Sequence, residues 1–147
     1  MPILTGQLHH GRAEVTVEVA TPVAFALDLQ QAGIAVPQPI QAVTLLDNGA
    51  SISAIDPALH QGLLLRPFST RTVLTPSGGN QNRRLYKADL TVPHPSGNPA
   101  NALHRPRLSV VEAFLAHLGH TVLIGTDVLG QLQFFYDGYS QRFSLAY

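Results

Sequence analysis

Cysteine is absent from this sequence of 147 residues, and charged side chains make up only 12% of it. Without cysteine the chain has no disulfide framework, no thiolate nucleophile and no cysteine-based zinc site. Nine Lys and Arg balance nine Asp and Glu, so the formal net charge is zero. This balance gives no electrostatic basis for binding nucleic acid or an anionic membrane. A small and nearly neutral surface also favours partial coverage by a second copy of the chain.

Long hydrophobic runs are absent as well. The uninterrupted apolar stretches are only a few residues long, whereas a membrane-spanning helix needs about 20 apolar residues. Residues 1–6 lack a basic region followed by an apolar one, which argues against a secretory signal. Hydrophobic residues make up 45% of the chain, enough for a conventional core. We therefore expect one cytoplasmic domain that spans residues 1–147 and does not bind membranes.

Twelve Gly and eleven Pro divide the chain into short segments whose patterns favour strands. Residues 13–19 alternate apolar and polar side chains, as a half-buried strand does. The sequence predicts further strands over residues 41–46, 70–74, 85–92, 107–114, 121–124, 133–136 and 142–145. A short helix is predicted after Asp56-Pro57, and residues 23–33 fit either a helix or an irregular strand. The fold class is therefore all-β with one or two short helices, as a barrel or sandwich.

Two segments rich in turn residues interrupt this pattern. Pro76-Ser77-Gly78-Gly79-Asn80 separates two predicted strands and indicates a hairpin over about residues 70–92 with a mobile tip. Residues 93–106 contain four prolines and predict a surface loop. Further along, Thr126 and Asp127 are predicted to cap a short helix through Leu132.

The segment Val43-Thr44-Leu45-Leu46-Asp47-Asn48-Gly49-Ala50-Ser51 places an acid directly after an apolar strand. A carboxylate there is costly unless it is hydrogen-bonded or functional. Gly49 permits a tight turn that holds the carboxylate beside backbone N–H groups. Taken alone, however, Asp-x-Gly also closes many ordinary hairpins, so both interpretations remain open at this point.

A second segment, His120 to Leu129, has the same order of features: an apolar strand, Gly125, a small polar residue and an apolar helix start. With the Gly-tipped hairpin between the two segments, most of the chain resembles the retropepsin-like aspartic proteases, in particular their bacterial single-domain members. In that family the first segment carries Asp-Thr/Ser-Gly-Ala, the hairpin is the flap, and the second segment ends in Gly. The resemblance implies a closed β-barrel with one lobe per chain.

The resemblance also implies a reaction, the hydrolysis of peptide bonds by two carboxylates about 3 Å apart that share one proton. The ionised carboxylate acts as the base on a water, and the protonated one donates to the scissile carbonyl. This chain has one Asp-x-Gly, because Asp127 stands where the family has a helix-capping residue. Asp47 must then come from each of two copies, so the expected partners are a second copy and a peptide or protein substrate. No cofactor or metal is implied.

The candidate site residues follow from the same resemblance. Asp47, Asn48 and Gly49 are assigned to catalysis. Contacts to substrate are assigned to Ala50, Ser51, Pro76, Ser77, Gly78, Gly79 and Ile124.

The sequence departs from the family pattern at three positions. Asn48 replaces the Thr or Ser whose hydroxyl braces the two catalytic loops across the dimer axis, although the Asn amide can also donate and accept. Ser51 and Thr126 stand where viral members have an acidic and a basic residue, so both charges are lost together. Two functions remain open: an active endopeptidase, or a catalytically impaired binding or dimerisation module.

Other chemistries have weaker support. His117-Leu118-Gly119-His120 lacks the Glu of a zincin motif and is interrupted by a glycine, so we predict no metal site. A phosphate-binding P-loop motif is absent, and no elbow glycine pattern supports a serine nucleophile at Ser51 or Ser53. Arg83 and Arg84 beside the hairpin are expected to shape substrate choice or to keep the hairpin soluble.

Overall fold

A computed structural model describes residues 1–74 and 78–147. Within these ranges no helix is long and apolar enough to cross a bilayer. The helices are α1 (Val23–Gln31), α2 (Pro57–Gly62) and α3 (Thr126–Leu129). The strands are β1 (Ile3–His9), β2 (Arg12–Ala20), β3 (Ile40–Leu46), β4 (Ala54–Ile55), β5 (Ser69–Leu74), β6 (Asn80–Val92), β7 (Leu103–Glu112), β8 (Val122–Ile124), β9 (Gln133–Asp137) and β10 (Arg142–Ala146).

Six of the strands close into a barrel. β6, β7, β4, β8, β3 and β2 are neighbours in that order, and β2 pairs back with β6. The alternation in β2 directs Val15, Val17 and Val19 into the barrel, where they join one large hydrophobic core. The predicted all-β fold with a closed barrel and few helices is therefore confirmed.

A three-stranded sheet of β1, β10 and β9 extends from the barrel. The sequence did not predict β1, because Gly6 and its polar neighbours interrupt the apolar pattern between Leu4 and Leu8. Gly6 lies directly opposite Phe143 of β10. A Cβ atom at Gly6 would lie 2.5 Å from the Phe143 ring, so the ring covers the glycine and packs in its place.

The sequence predicts a loop over residues 93–106, but the loop in the structure is shorter. β7 begins at Leu103 and contains Pro106, which a regular strand interior disfavours. The strand tolerates this proline because the β6–β7 register shifts between Ala88 and Leu90, and Arg107 takes a positive φ of 51°. The displaced Arg107 N–H donates to Asp89 Oδ1 at 2.7 Å, which satisfies the backbone at this bulge.

Residues 23–33 form a helix rather than an irregular strand. α1 ends at Gln31, and Gly33, two residues later, has a φ of 73° that reverses the chain. The Gly33 N–H donates to the Gln30 carbonyl, and the Ile34 N–H donates to the Leu29 carbonyl at 2.8 Å. These two bonds form a Schellman motif, the C-terminal cap that glycine favours.

Candidate active site

The strands β3 and β8 bring the two sequence segments together. They are parallel neighbours, with Leu46 opposite Ile124, so both strands end at the same edge of the barrel. The Asp47 N–H donates to the Ile124 carbonyl at 2.9 Å and continues this pairing by one residue. β4 pairs with the other side of β8, so the chain from Asp47 to Ser53 loops around the end of β8.

Asp47 is held at the start of this loop by the residues that follow it. The Gly49 N–H donates to Asp47 Oδ1 at 2.8 Å, and the Ala50 N–H donates to the Asp47 carbonyl at 3.3 Å. A Cβ atom at Gly49 would lie only 3.1 Å from Asp47 Oδ1. The glycine therefore allows the close turn that orients the half-buried carboxyl group.

Gly125 packs against the Asp47 loop at backbone distance. A Cβ atom there would lie 2.7 Å from the Ala50 carbonyl oxygen and 2.9 Å from the Ile52 carbonyl carbon. The next residue, Thr126, donates its N–H to that same Ala50 oxygen at 2.8 Å. The absence of a side chain at residue 125 thus lets the second segment support the first directly.

The N-cap of α3 is Gly125, so Asp127 lies in the first turn of the helix, and the helix ends at Leu129 rather than at Leu132. The Asp127 carboxylate accepts from the Val128 N–H at 3.0 Å, and it also accepts from the Ser53 N–H at 2.9 Å and from the Ser53 hydroxyl at 2.8 Å. Ser53 Oγ in turn accepts from the Gly125 N–H at 3.1 Å. Asp127 thereby links the end of the Asp47 loop to α3. The adjacent residue, Thr126, carries no charge.

An open cavity of about 510 Å³ lies beside Asp47, and we call it the groove. Three parts of the chain form it: the Asp47 loop, the β5–β6 hairpin and residues 111–115, which we call the wall. Its floor is a small apolar cluster centred on Ala54, Val111 and Leu115. The lining residues are Asp47, Gly49, Ala50, Ser51, Ile52, Ala54, Val73, Leu74, Arg83, Val111, Glu112, Ala113, Leu115 and Leu123.

The predicted catalytic residues divide between two cavities. Asp47 and Gly49 line the groove, together with the predicted substrate contacts Ala50 and Ser51. Asn48 is exposed and is not among the residues that line the groove; it lines a second cavity of about 410 Å³ with Asp47 and Tyr136. Among the described residues the Asn48 side chain has no hydrogen-bond partner.

The other predicted substrate contacts have different outcomes. Ile124 is only 1% exposed and packs in the barrel core, so its assignment to the groove is not supported. Its neighbour Leu123 lines the groove instead, because adjacent strand residues face opposite sides. Pro76 and Ser77 lie outside the described residues. Gly78 and Gly79 are exposed at the end of the hairpin, Gly78 with a φ of 81°.

Sequence reasoning missed the wall altogether. Glu112 brings a carboxylate to the groove, and Phe114 is exposed beside it. The guanidinium carbon of Arg83 in β6 lies 5.4 Å from the centroid of the Phe114 ring, within the range of a cation–π contact. This contact joins the hairpin to the wall. The sequence could have indicated the wall through the predicted strand over residues 107–114, because alternate side chains of a strand face opposite sides of the sheet.

Helix α2 anchors the wall through two side chains one turn apart. Asp56 Oδ1 caps α2 at the Ala58 N–H, as the sequence predicts, and Asp56 Oδ2 accepts from the N–H groups of Leu115 and Ala116 at 2.9 and 3.0 Å. Burial raises the pKa of Asp56, but these three N–H groups and His60 together hold it below its usual value. His60 Nε2 lies 2.6 Å from Glu112 Oε2.

This anchoring predicts an acid-dependent loss of stability. A carboxyl whose pKa is lowered on folding contributes stability above its unfolded-state pKa, and that stability is lost as pH falls through the folded-state pKa. We expect Asp56→Ala to lower the free energy of unfolding by about 2–3 kcal/mol at pH 7, because three backbone N–H groups lose their acceptor.

Chemical denaturation between about pH 2 and 7 measures this effect. Wild type should lose more stability across the acidic part of that range than Asp56→Asn does. Asp28→Asn is the matched control, because Asp28 is exposed and caps nothing. Parallel acid profiles for wild type and Asp56→Asn would contradict the assigned role of Asp56.

The other candidate residues do not form a metal centre in the described part of the chain. Among residues 1–74 and 78–147, no group of three or more His, Asp or Glu side chains is placed to hold a metal ion. His120, just before β8, pairs with Glu14 of β2, Nε2 to Oε1 at 2.8 Å. Ser51 and Thr126 are both exposed, and neither has a charged partner in the described part of the chain.

Comparison with known proteins supports the fold. No family model matches the sequence, and no curated protein is significantly similar to it. Among solved structures, the chain is similar to a retropepsin-like aspartic protease from Rickettsia conorii, with a TM-score of 0.61 and 16% sequence identity. The match covers 99% of this chain and 90% of the other. The chain therefore has the fold of the retropepsin-like aspartic proteases.

Proposed function

We propose that this chain is a homodimeric aspartic endopeptidase in which Asp47 of each copy supplies one carboxylate of a catalytic dyad. The position of Asp47 carries this proposal: it follows β3, is oriented by the Gly49 N–H, and lies in a groove bounded by a hairpin. A protease of this type needs two carboxylates that share one proton. One chain supplies one such Asp, so a symmetric pair of copies is the simplest complete site.

The exposed surface beside Asp47 supports pairing of two copies. Asn48 lies next to Asp47 and lines a cavity with Phe134 and Tyr136 of β9. β9 is an edge strand of the sheet, and Phe135 and Tyr136 are 65% and 49% exposed. An exposed edge with large apolar side chains is a natural place for contact with another chain.

In the proposed mechanism the ionised Asp47 carboxylate removes a proton from a bound water, and that water attacks the scissile carbonyl carbon. The protonated Asp47 of the other copy gives its proton to the carbonyl oxygen, which forms a neutral tetrahedral intermediate. Breakdown transfers a proton to the amide nitrogen, the C–N bond breaks, and the dyad again holds one proton. Water is consumed and two shorter peptides are released.

The groove suits an extended peptide with an apolar side chain near the cleaved bond. Its floor of Ala54, Val111 and Leu115 offers an apolar surface, and β5 and β6 offer strand edges for backbone pairing. The assignment of Pro76, Ser77, Gly78 and Gly79 to substrate contact stays a prediction, as does the expected location in the cytoplasm.

A peptide-library digest tests the proposal. Protein concentrated enough to dimerise should cleave a subset of a diverse library between about pH 3 and 7, a window set by the pKa values of known aspartate dyads. Mass spectrometry of the products identifies the cleaved bonds. Complete absence of cleavage by a protein that sedimentation shows to be dimeric would contradict the endopeptidase function.

The alternative is a binding or dimerisation module that keeps the fold but has lost catalysis. Asn48 favours it, because the bulkier amide replaces the hydroxyl that braces the family's paired loops. A dyad loosened by 1 Å can lose about 100-fold in rate. A dimer that binds peptides in the groove but cleaves none of them would support this alternative.

Substitution at Asn48 tests whether this residue impairs catalysis. We expect Asn48→Thr to raise kcat by about 10-fold, because a hydroxyl can donate and accept across the two-fold axis and fix the dyad. The measurement is the initial rate of cleavage of one library substrate, together with the dimer dissociation constant. Asn48→Ala is the control, because it removes the amide without adding a hydroxyl. If Asn48→Thr raises neither rate nor dimer affinity, Asn48 is an ordinary turn residue.

A further inference from the structure

One face of the β5–β6 hairpin carries two arginines directly opposite each other. Arg71 of β5 pairs with Arg83 of β6 in the antiparallel register, so both side chains lie on the same face of the hairpin. Val73 and Leu85 belong to this face as well, and both pack against the apolar floor of the groove. Arg83 itself lines the groove. The arginine pair therefore lies on the side of the hairpin that is turned toward the groove.

No acidic side chain neutralises these two charges in the described part of the chain. Neither arginine forms an ion pair there. Arg83 contacts two neutral groups: its Nη2 donates to Gln81 Oε1, and the Phe114 ring centroid lies 5.4 Å from its guanidinium carbon. Like charges directly opposite each other weaken a pair of strands. An anionic group bound between the two guanidinium groups would turn this repulsion into attraction.

The acids of the groove do not supply that group. Glu112 Oε2 faces His60 Nε2 at 2.6 Å and accepts from the Tyr86 hydroxyl at 3.4 Å, so its charge is engaged by these two residues. Asp47 belongs to the proposed dyad. Among the described residues, Arg83 is the only basic one that lines the groove, and most of the lining is apolar. A guanidinium group beside an apolar floor favours a ligand that offers a carboxylate next to an apolar side chain.

We propose that the groove selects peptides with an acidic side chain, and that Arg83 and Arg71 determine this specificity. The carboxylate of a peptide Asp or Glu binds the two guanidinium groups on the hairpin, while a neighbouring apolar side chain of the peptide packs on the floor. This inference rests on the proposed function only in placing a peptide in the groove, since the arginines bind a side chain and take no part in the hydrolysis.

Matched peptides test the specificity. Each has a Leu-Leu centre and Glu, Gln or Lys at one flanking position, so the Glu and Gln forms have nearly the same shape and differ in charge. At about pH 6, where Glu is ionised, wild type should cleave the best Glu peptide with a kcat/KM about 10-fold above that of its Gln form. The difference should lie in KM, because the contact is remote from the reacting atoms. At about pH 3 the Glu peptide is protonated, and its advantage should disappear.

Substitutions locate the preference on the hairpin. Arg83→Gln should bring the Glu and Gln peptides to within about twofold of each other. Arg84→Gln is the matched control, because it removes the same charge from the next residue of β6, which faces the other side of the strand. The double variant Arg71→Glu/Arg83→Glu should favour the Lys peptide. A purely structural role of Arg83 would instead change the rates of all three peptides equally.

Binding to Asp47→Asn separates this inference from the endopeptidase function. Fluorescence anisotropy of labelled peptides measures their affinity without cleavage, and the Glu form should again bind more tightly than the Gln form. Equal binding of the two forms, no saturable binding of any peptide, or a preference that survives Arg83→Gln would overturn the specificity even if wild type cleaves peptides. A preference that depends on Arg83, in a chain that cleaves nothing, would support the specificity and contradict only the endopeptidase function.

Discussion

Replacing Asp47 by Asn is expected to abolish peptide cleavage, with a fall in kcat of about 10³-fold or more. The amide cannot take a proton from water, and a dyad of two amides has no proton to share. The fold should be preserved, because Asn Oδ1 can still accept from the Gly49 N–H as the carboxylate does at 2.8 Å. The cleavage rate and the unfolding midpoint are the two measurements. Asp28→Asn, at an exposed position outside the groove, is the control and should leave both unchanged.

A mixing experiment shows whether the two carboxylates come from two chains. When equal amounts of wild type and Asp47→Asn exchange subunits at random, about one quarter of the dimers hold two wild-type chains. Activity per total protein should then fall to about one quarter of the wild-type value. A fall to only about one half would mean that each chain works alone. Full activity of Asp47→Asn by itself would remove Asp47 from the mechanism.

Gly125→Ala is expected to be the most damaging substitution outside the dyad. The added Cβ atom would lie 2.7 Å from the Ala50 oxygen and within 3.0 Å of two Ile52 backbone atoms. Backbone atoms cannot rotate away, so the Asp47 loop or β8 must shift. We expect a loss of about 3 kcal/mol in the free energy of unfolding, or roughly 6–12 °C in Tm for a domain of this size.

The control for this substitution is Gly138→Ala in the β9–β10 turn. A Cβ atom there would meet only the Tyr136 ring at 3.4 Å, which is ordinary contact. Its Tm should stay close to wild type. Thermal unfolding of both variants gives the comparison, and cleavage rates show whether the Asp47 loop has moved. A Gly125→Ala protein as stable as Gly138→Ala would contradict the close packing of the two segments.

The sequence was informative wherever one local pattern determined one structure. The apolar strands before Asp47 and Gly125 were predicted locally, the resemblance to a known family linked the two segments, and the parallel pairing of β3 and β8 brings them together. The capping role of Asp56 was also local, since Asp-Pro at a helix start has few other uses. The strands and the Asp56 cap needed no knowledge of distant contacts, whereas the site around Asp47 rested on the family resemblance.

The rest depended on contacts that one sequence does not specify. Ile124 and Leu123 are both apolar strand residues, and only the packing of the barrel decides which one faces the groove. Asp127 was predicted to serve only its own helix, and nothing local indicated that it also binds Ser53, 74 residues away. The wall required α2 to lie beside the end of β7, a tertiary arrangement that no local pattern encodes.

The distance between the two Asp47 carboxylates tests the central proposal most directly. A crystal structure of the dimer with a statine-containing transition-state analogue would measure it. We predict carboxylate oxygens about 3 Å apart across the two-fold axis, both within hydrogen-bond reach of the inhibitor hydroxyl. Carboxylates more than about 5 Å apart, or an inhibitor that binds without contacting Asp47, would contradict a shared dyad and leave the binding module as the function of this fold.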